Sequence, residues 1–226
     1  MKSDYKIGMK DYIVLLITAA FLFGCISSSF RSAKTVEPKQ ASISGGYMKV
    51  INLNDSDADP IDLLDLGVRY GLPGGVDIGI AHTFDITSEN ESQFSTFWGD
   101  IKVQLSNRDN EIGKPTVSLG LLKGYIYDPE LNVTSLPLMI SVPVSDYFTP
   151  TLQYRISFIS EDFFPSSFED PRHIFALGFE YNFSKPSPEK WTPKIGFAIG
   201  TFNSLAGGDG DQGLILNLGI ILDSPF

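Results

Sequence analysis

Residues 76–87, VDIGIAHTFDIT, alternate without a break between two kinds of side chain. The even positions carry His82 and five apolar residues, whereas the odd positions, from Asp77 to Thr87, carry only small or polar residues. Because successive side chains of a strand point to opposite faces, the stretch predicts a β-strand with one apolar face. At a rise of about 3.3 Å per residue, the stretch extends roughly 40 Å. A tilted strand of that length can cross the apolar core of a bilayer, which is about 30 Å thick.

The same alternation recurs in ten runs from residue 41 onward. The runs cover residues 41–51, 62–72, 75–87, 97–107, 115–127, 135–145, 149–160, 172–184, 192–202 and 212–222. No segment after the N-terminal region shows a helical period. The chain has 226 residues with 17 Phe and 21 Gly, a composition that favours one large strand-rich domain over two small ones.

Alternation alone does not separate a soluble calycin-like barrel, apolar inside, from a membrane barrel, apolar outside. The less apolar face decides between them, because a water-exposed face would be rich in Lys, Glu and Thr. Here that face carries small residues, which suit a crowded lumen: Gly67, Gly79, Ala81, Gly120, Ala176, Gly178, Gly196, Ala198 and Gly200. We therefore predict that residues 41–226 are all-β and form a single antiparallel up-and-down transmembrane barrel. About ten strands are expected, with 8 or 12 as alternatives.

The connections between the runs differ by parity. Counting Asp62 at the edge of the first, the odd-numbered connections hold fourteen acidic residues and no Lys or Arg. The even-numbered connections include the tight turn 73–75 and the short connection 145–148, and the other two, near residues 108–114 and 185–191, mix both signs. Since bacterial barrels alternate short periplasmic turns with longer outer loops, the acidic loops are predicted outside and both termini in the periplasm.

Aromatic residues near the strand ends predict the two interfacial girdles of a membrane barrel. The periplasmic girdle is assigned to Tyr70, Tyr147, Phe148, Tyr181, Phe183 and Trp191, and the outer girdle to Phe84, Phe97, Tyr125, Tyr127, Phe158 and Phe202.

The N-terminal sequence predicts a secretory signal. Lys2, Lys6 and Lys10 precede the apolar run 13–24, whose length of about 18 Å as a helix is short for a permanent transmembrane anchor. Residues 22–25, Leu-Phe-Gly-Cys, resemble the bacterial lipobox, although Phe23 replaces the usual small residue. The resemblance implies a signal peptide over 1–24 and a lipid on Cys25, the single cysteine. Residues 25–40 are then predicted to be a polar tether.

Charged residues also occur on the small-residue face of five predicted strands. They are Asp65, Arg69, Asp77, Asp100, Lys102, Arg155 and Glu180. In a ten-strand barrel the interior is little wider than in eight-strand barrels that side chains fill, so opposite charges are expected to pair across it. We predict a lumen charge network and a narrow or closed pore.

Other chemistry finds little support in the sequence. The formal charge of −10 disfavours nucleic acid, whose phosphates need clustered Lys and Arg. His82 lies on an apolar stripe and His173 at a loop edge, so neither is assigned a catalytic role. Asp55, Asp57 and Asp59 are interpreted as a solvated loop and not a Ca²⁺ site. We predict no catalytic site, no bound metal and no cofactor.

The mature chain resembles uncharacterised bacterial outer-membrane barrel proteins in three short motifs, at residues 32–35, 69–72 and 77–79. The resemblance implies an outer-membrane barrel lipoprotein with a structural, interaction or narrow small-solute transport role. Its expected partners are outer-membrane lipid, the barrel-assembly and lipoprotein-sorting machinery, and a small solute or surface partner. Two alternatives remain open. One is a soluble lipid-anchored calycin-like barrel that binds an apolar ligand, and the other is a membrane-embedded lipid-modifying hydrolase or acyltransferase that uses His82 or His173.

Overall fold

The computed structural model describes residues 31–54, 59–87, 95–107, 109–127, 130–163, 171–187, 189–204 and 212–225. Within these ranges ten strands close into one barrel, in which each strand pairs with its sequence neighbours and the first pairs with the last. The strands are β1 (Ala41–Asn52), β2 (Ile61–Leu72), β3 (Val76–Asp85), β4 (Thr96–Gln104), β5 (Thr116–Ile126), β6 (Leu131–Ser141), β7 (Phe148–Ser160), β8 (Arg172–Asn182), β9 (Thr192–Ser204) and β10 (Gln212–Asp223). The predicted ten-strand up-and-down barrel is confirmed.

The predicted signal peptide and Cys25 lie outside the described residues. In the part of the chain that the structure describes, no helix is long and apolar enough to cross a membrane.

The apolar face of the barrel points outward. Ile80 is 58% exposed and Leu177 is 59% exposed, whereas Asp65 and Ser135 are fully buried on the inner face. A soluble barrel would have the reverse arrangement, because burial of apolar surface is its main source of stability. The soluble calycin-like alternative is therefore wrong, and the outer face is suited to the apolar core of a bilayer.

The sixth strand begins and ends four residues before the predicted segment, 135–145. The structure places it at Leu131–Ser141, and residues 142–147 form the turn to β7. Pro143 lies in that turn, while Pro137 points inward and is among the most completely buried side chains. A Cβ on Gly120 would lie only 2.8 Å from Cγ of Pro137, so the glycine makes room for the proline.

The two ends of the barrel have different interiors. We call the end with the four even-numbered connections and the strand termini Ala41 and Asp223 the turn end, and the opposite end the loop end. Inward residues near the turn end are mostly polar, as at Ser42, Ser118 and Ser141. Inward residues at the loop end are mostly apolar.

One aromatic residue assigned to the outer girdle belongs to this apolar interior. Phe202 lines the lumen at the loop end instead of facing the membrane. A Cβ on Gly213, opposite Phe202 in the β9–β10 ladder, would collide with the phenyl ring. The ring therefore occupies space that the glycine leaves open, and the girdle prediction for Phe202 is wrong.

Candidate functional site in the barrel lumen

The structure places the seven sequence-predicted charged residues on inward-facing strand positions. Six of them are at most 8% exposed: Asp65, Arg69, Asp77, Lys102, Arg155 and Glu180. The side chain of Asp100 is also 8% exposed. Five of them lie on β2, β3 and β4, and Arg155 and Glu180 lie on β7 and β8.

Four of the seven form a connected ion-pair cluster across β2, β3 and β4. Arg69 Nε donates to Oδ1 of Asp77 at 3.0 Å, and Arg69 Nη2 contacts both Asp77 and, at 2.5 Å, Oδ1 of Asp100. Lys102 Nζ lies 3.5 Å from Oδ2 of Asp77. We call Arg69, Asp77, Asp100 and Lys102 the β2–β4 cluster. Its alternating signs compensate the desolvation of each charge, which would otherwise be costly.

A glycine allows the cluster to form. In the ladders, Gly79 lies opposite Arg69 on one side and Asp100 on the other. A Cβ at Gly79 would lie 2.7 Å from Oδ2 of Asp100 and 3.0 Å from Nη1 of Arg69. The two charged side chains therefore meet over a position without a side chain.

A second cluster contains two residues that were not predicted from the sequence, Lys194 and Asp223. Lys194 Nζ lies 2.6 Å from Oδ2 of Asp223 and 3.8 Å from Oε2 of Glu180. The inward direction of Lys194 was predictable, because Lys194 shares its parity along β9 with the small inward residues Ala198 and Gly200. Asp223 was missed because it lies one residue beyond the end of the tenth predicted strand.

Asp65 and Arg155 lie closer to the loop end than the two clusters. Oδ1 of Asp65 accepts a hydrogen bond of 2.6 Å from Thr83 Oγ1, which in turn accepts one of 3.1 Å from Trp98 Nε1. Arg155 lies on the inner face of β7 between Gln153 and Ser157. These residues lie between the polar lumen of the turn end and the apolar interior of the loop end.

The polar segment before β1 enters the lumen at the turn end. The sequence predicts a tether over residues 25–40, and of these the structure describes 31–40. Arg31, Ser32, Ala33 and Thr35 are at most 7% exposed. These described residues therefore do not extend away from the barrel into solvent. A polar sequence is compatible with a polar lumen as well as with water.

The wall of the barrel binds the main chain of this segment through side chains of four strands. The amide of Ser32 donates to Glu180 Oε1 at 2.8 Å, and that of Ala33 to Ser141 Oγ at 2.7 Å. The amides of Thr35 and Val36 each donate at 2.9 Å, to Gln104 Oε1 and to Asp77 Oδ2 respectively. We call residues 31–36 the lumen segment.

Cations complete the docking of the lumen segment. Lys102 Nζ donates to the carbonyl oxygens of Ser32 and Lys34 at 3.2 and 2.6 Å. The Arg31 guanidinium donates to Ser42 and Ser44 on β1. Charge-assisted hydrogen bonds are stronger than neutral ones. The lumen segment is therefore an ordered part of the interior that crosses from β8 to β3.

The two histidines lie on the outer surface. His82 packs against Phe84 with ring centroids 4.1 Å apart, and His173 Nδ1 lies 2.6 Å from the hydroxyl of Tyr154. Neither residue points into the lumen. Among the described residues, no group of three or more His, Cys, Asp or Glu side chains is arranged to hold a metal ion.

The outward apolar face, the closed ladder and the buried polar lumen define a membrane-spanning β-barrel. No protein-family model and no curated protein sequence matches the chain. Solved structures similar to it include the N-terminal barrel domain of Pseudomonas aeruginosa OprF, at 12% identity and a TM-score of 0.33, covering 82% of this chain and 98% of that one. The outer membrane protein OprG of the same organism is similar at 10% identity and a TM-score of 0.32, and the match covers 87% of this chain and 100% of OprG. Ail, the attachment invasion locus protein of Yersinia pestis, is similar at 8% identity and a TM-score of 0.31, and the match covers 82% of this chain and 99% of Ail.

Proposed function

We propose that this chain is an outer-membrane barrel lipoprotein whose own N-terminal segment closes the turn end of the lumen. Its role is then structural, interactive or limited to narrow small-solute passage, and not general diffusion through an open pore. The docking of the lumen segment carries this proposal, because four main-chain amides of one peptide bind side chains on β8, β6, β4 and β3.

The β2–β4 cluster supports the same conclusion. Arg69 and Lys102 extend from the wall into the lumen beneath the segment and are at most 5% exposed. Water and ions that cross the barrel would have to displace both the segment and the paired charges. Since separating buried opposite charges is costly, the resting state is closed.

Orientation and anchoring follow from the sequence and form part of the proposal. The acidic loops lie outside the cell and the turn end faces the periplasm. Cys25 carries lipid in the outer membrane, and barrel-assembly and lipoprotein-sorting machinery deliver the protein there. Labelled palmitate should enter the native protein and not Cys25→Ala, while label that persists in the mutant would exclude this anchor.

Planar-bilayer recordings test the closed lumen. The mature protein should show no large steady conductance. The double variant Ser32→Pro/Val36→Pro removes two of the amide donors and should open more often. Lys34→Ala changes only a half-exposed side chain paired with Glu37 and should behave as the native protein does. Large, steady openings of the native protein would contradict the proposal and indicate general solute diffusion.

A further inference from the structure

The loop end of the lumen contains a cavity of about 520 Å³. We call it the vestibule. Its apolar wall includes Val50, Leu63, Ile126, Ile159, Ile174 and Ile215, which come from six different strands. Its lining also includes polar residues farther from the loop end: Gln153, Arg155, Ser157 and Asn217. The vestibule is therefore mostly apolar around its sides and polar at its floor, and the charged residues Asp59 and Arg172 lie at its mouth.

The floor separates the vestibule from the turn end. Toward the turn end lie the β2–β4 cluster and the lumen segment, where two smaller cavities measure about 30 and 20 Å³. A molecule that enters from the loop end is therefore stopped near Arg155 and does not pass through. This arrangement is a pocket and not a channel.

An apolar wall in this position indicates a ligand. Water in such a space loses hydrogen bonds at the Ile and Val side chains, and an apolar molecule that displaces it gains affinity. The volume lies within the range of roughly 300–1,000 Å³ that is usual for small-molecule sites. The described residues leave this space unfilled, whereas protein interiors are usually close-packed.

The charges of the lumen indicate the type of head group. Among the described residues, five cations and five anions lie inside the barrel: Arg31, Arg69, Lys102, Arg155 and Lys194, and Asp65, Asp77, Asp100, Glu180 and Asp223. One further residue of each sign, Arg172 and Asp59, is exposed at the mouth of the vestibule. An additional ionic head group would disturb this balance in a poorly hydrated site. Neutral hydrogen-bonding groups are available at the floor, including the hydroxyls of Ser135 and Ser157, which lie 2.8 Å apart.

We propose that the vestibule binds one elongated amphiphile, with its apolar chain against the Ile and Val wall and an uncharged polar head at the floor. The inference goes beyond the proposed function, because the closed turn end would hold whether or not the vestibule binds a ligand. Long-chain alcohols and monoacylglycerols have the required chemistry.

Tryptophan quenching gives a direct test. The chain has two Trp residues. Trp98 lines the vestibule, whereas Trp191 lies near the turn end and is 45% exposed. Trp191→Phe therefore leaves one reporter inside the site. The protein is reconstituted in lipid nanodiscs and titrated with 8-bromo-1-octanol, and in parallel with 8-bromooctanoate, which has the same chain and an anionic head.

We expect saturable quenching of Trp98 by the alcohol and weaker binding of the carboxylate. Ile174→Asn/Ile215→Asn should weaken alcohol binding by about tenfold or more, since changes in apolar pocket contacts typically have effects of 10- to 200-fold. Ala198→Leu should do the same by occupying the cavity while keeping it apolar. Ile43→Asn is the control, because Ile43 is 48% exposed on the outer face near the other end.

Two results would overturn the inference. Quenching that rises linearly without saturation, and is equal in the native, Ala198→Leu and Ile43→Asn proteins, would show only partition into the bilayer. Tighter binding of the carboxylate than of the alcohol would contradict the uncharged head group. The closed turn end is tested separately by conductance, so failure of one proposal is distinguishable from failure of the other.

Discussion

Nζ of Lys102 lies 2.6 Å from the carbonyl oxygen of Lys34, so a side chain of the barrel wall binds the main chain of the lumen segment. The same ammonium group lies 3.5 Å from the carboxylate of Asp77, which accepts the amide of Val36. Lys102 and Asp77 thus bind the segment through a carbonyl and an amide while they also pair with each other. The wall and the segment are therefore expected to fold as one unit.

Replacing Lys102 tests this coupling. Lys102→Met keeps most of the side-chain volume but leaves Asp77 with one cation fewer and two carbonyl groups without their donor. Removing one partner of a buried pair typically costs about 3–5 kcal/mol, and we expect a loss of that order in the free energy of unfolding, measured by denaturant titration in lipid vesicles. Lys185→Met is the control, since the Lys185 side chain is 70% exposed in a turn. Equal stability of the two variants would show that the cluster does not stabilise the fold.

Gly79 and Gly99 form a matched pair of adjacent-strand glycines. A Cβ at Gly79 would meet Asp100 and Arg69 at 2.7 and 3.0 Å, whereas a Cβ at Gly99 would meet nothing within 4 Å. We expect Gly79→Ala to destabilise the barrel by about 1–3 kcal/mol through overpacking. Gly99→Ala should be neutral or slightly stabilising, because it restricts the unfolded chain. The same unfolding titration compares them, and a neutral Gly79→Ala would mean that the ion pair is not held above this position.

Introducing a charged side chain at Ile80 tests whether this position faces lipid. Ile80 is 58% exposed, and Ile80→Arg would place a cation against lipid at a cost of about 2–4 kcal/mol near the bilayer midplane. Ile80→Val should change stability much less. The measurement is the free energy of folding into vesicles. If Ile80→Arg folded as a water-soluble protein without lipid or detergent, the membrane-spanning assignment would be wrong.

The wall of the barrel was predictable from the sequence because the two faces of each strand differ in polarity. Ile78 and Ile80 face out and Asp77 and Gly79 face in, as the alternation of residues 76–87 predicts. The limits of β6 were misplaced because the apolar alternation continues through Val142 and Val144, which lie in the turn after the strand ends at Ser141. The apolar wall of the vestibule was also predictable in part. Several strands have two adjacent apolar residues at the loop end, such as Phe158 and Ile159, so that one of each pair faces inward.

The position of the lumen segment could not be predicted in this way. Its docking depends on the main-chain amides of Ser32, Ala33, Thr35 and Val36, and every sequence without proline offers such donors. Only the side chains that accept these hydrogen bonds are specific. They lie on strands that are far apart in sequence: Glu180, Ser141, Gln104 and Asp77. Tertiary structure is needed to bring these acceptors onto one path.

Thiol accessibility at Ser32 tests the closed lumen most directly. Ser32 is 4% exposed inside the turn end, and Lys185 lies exposed at the same end. In a Cys25→Ala background, a water-soluble maleimide should modify Lys185→Cys readily and Ser32→Cys only after the barrel is unfolded by heat. Rapid modification of Ser32→Cys in the folded barrel, at the rate of Lys185→Cys, would contradict the account and place the segment outside.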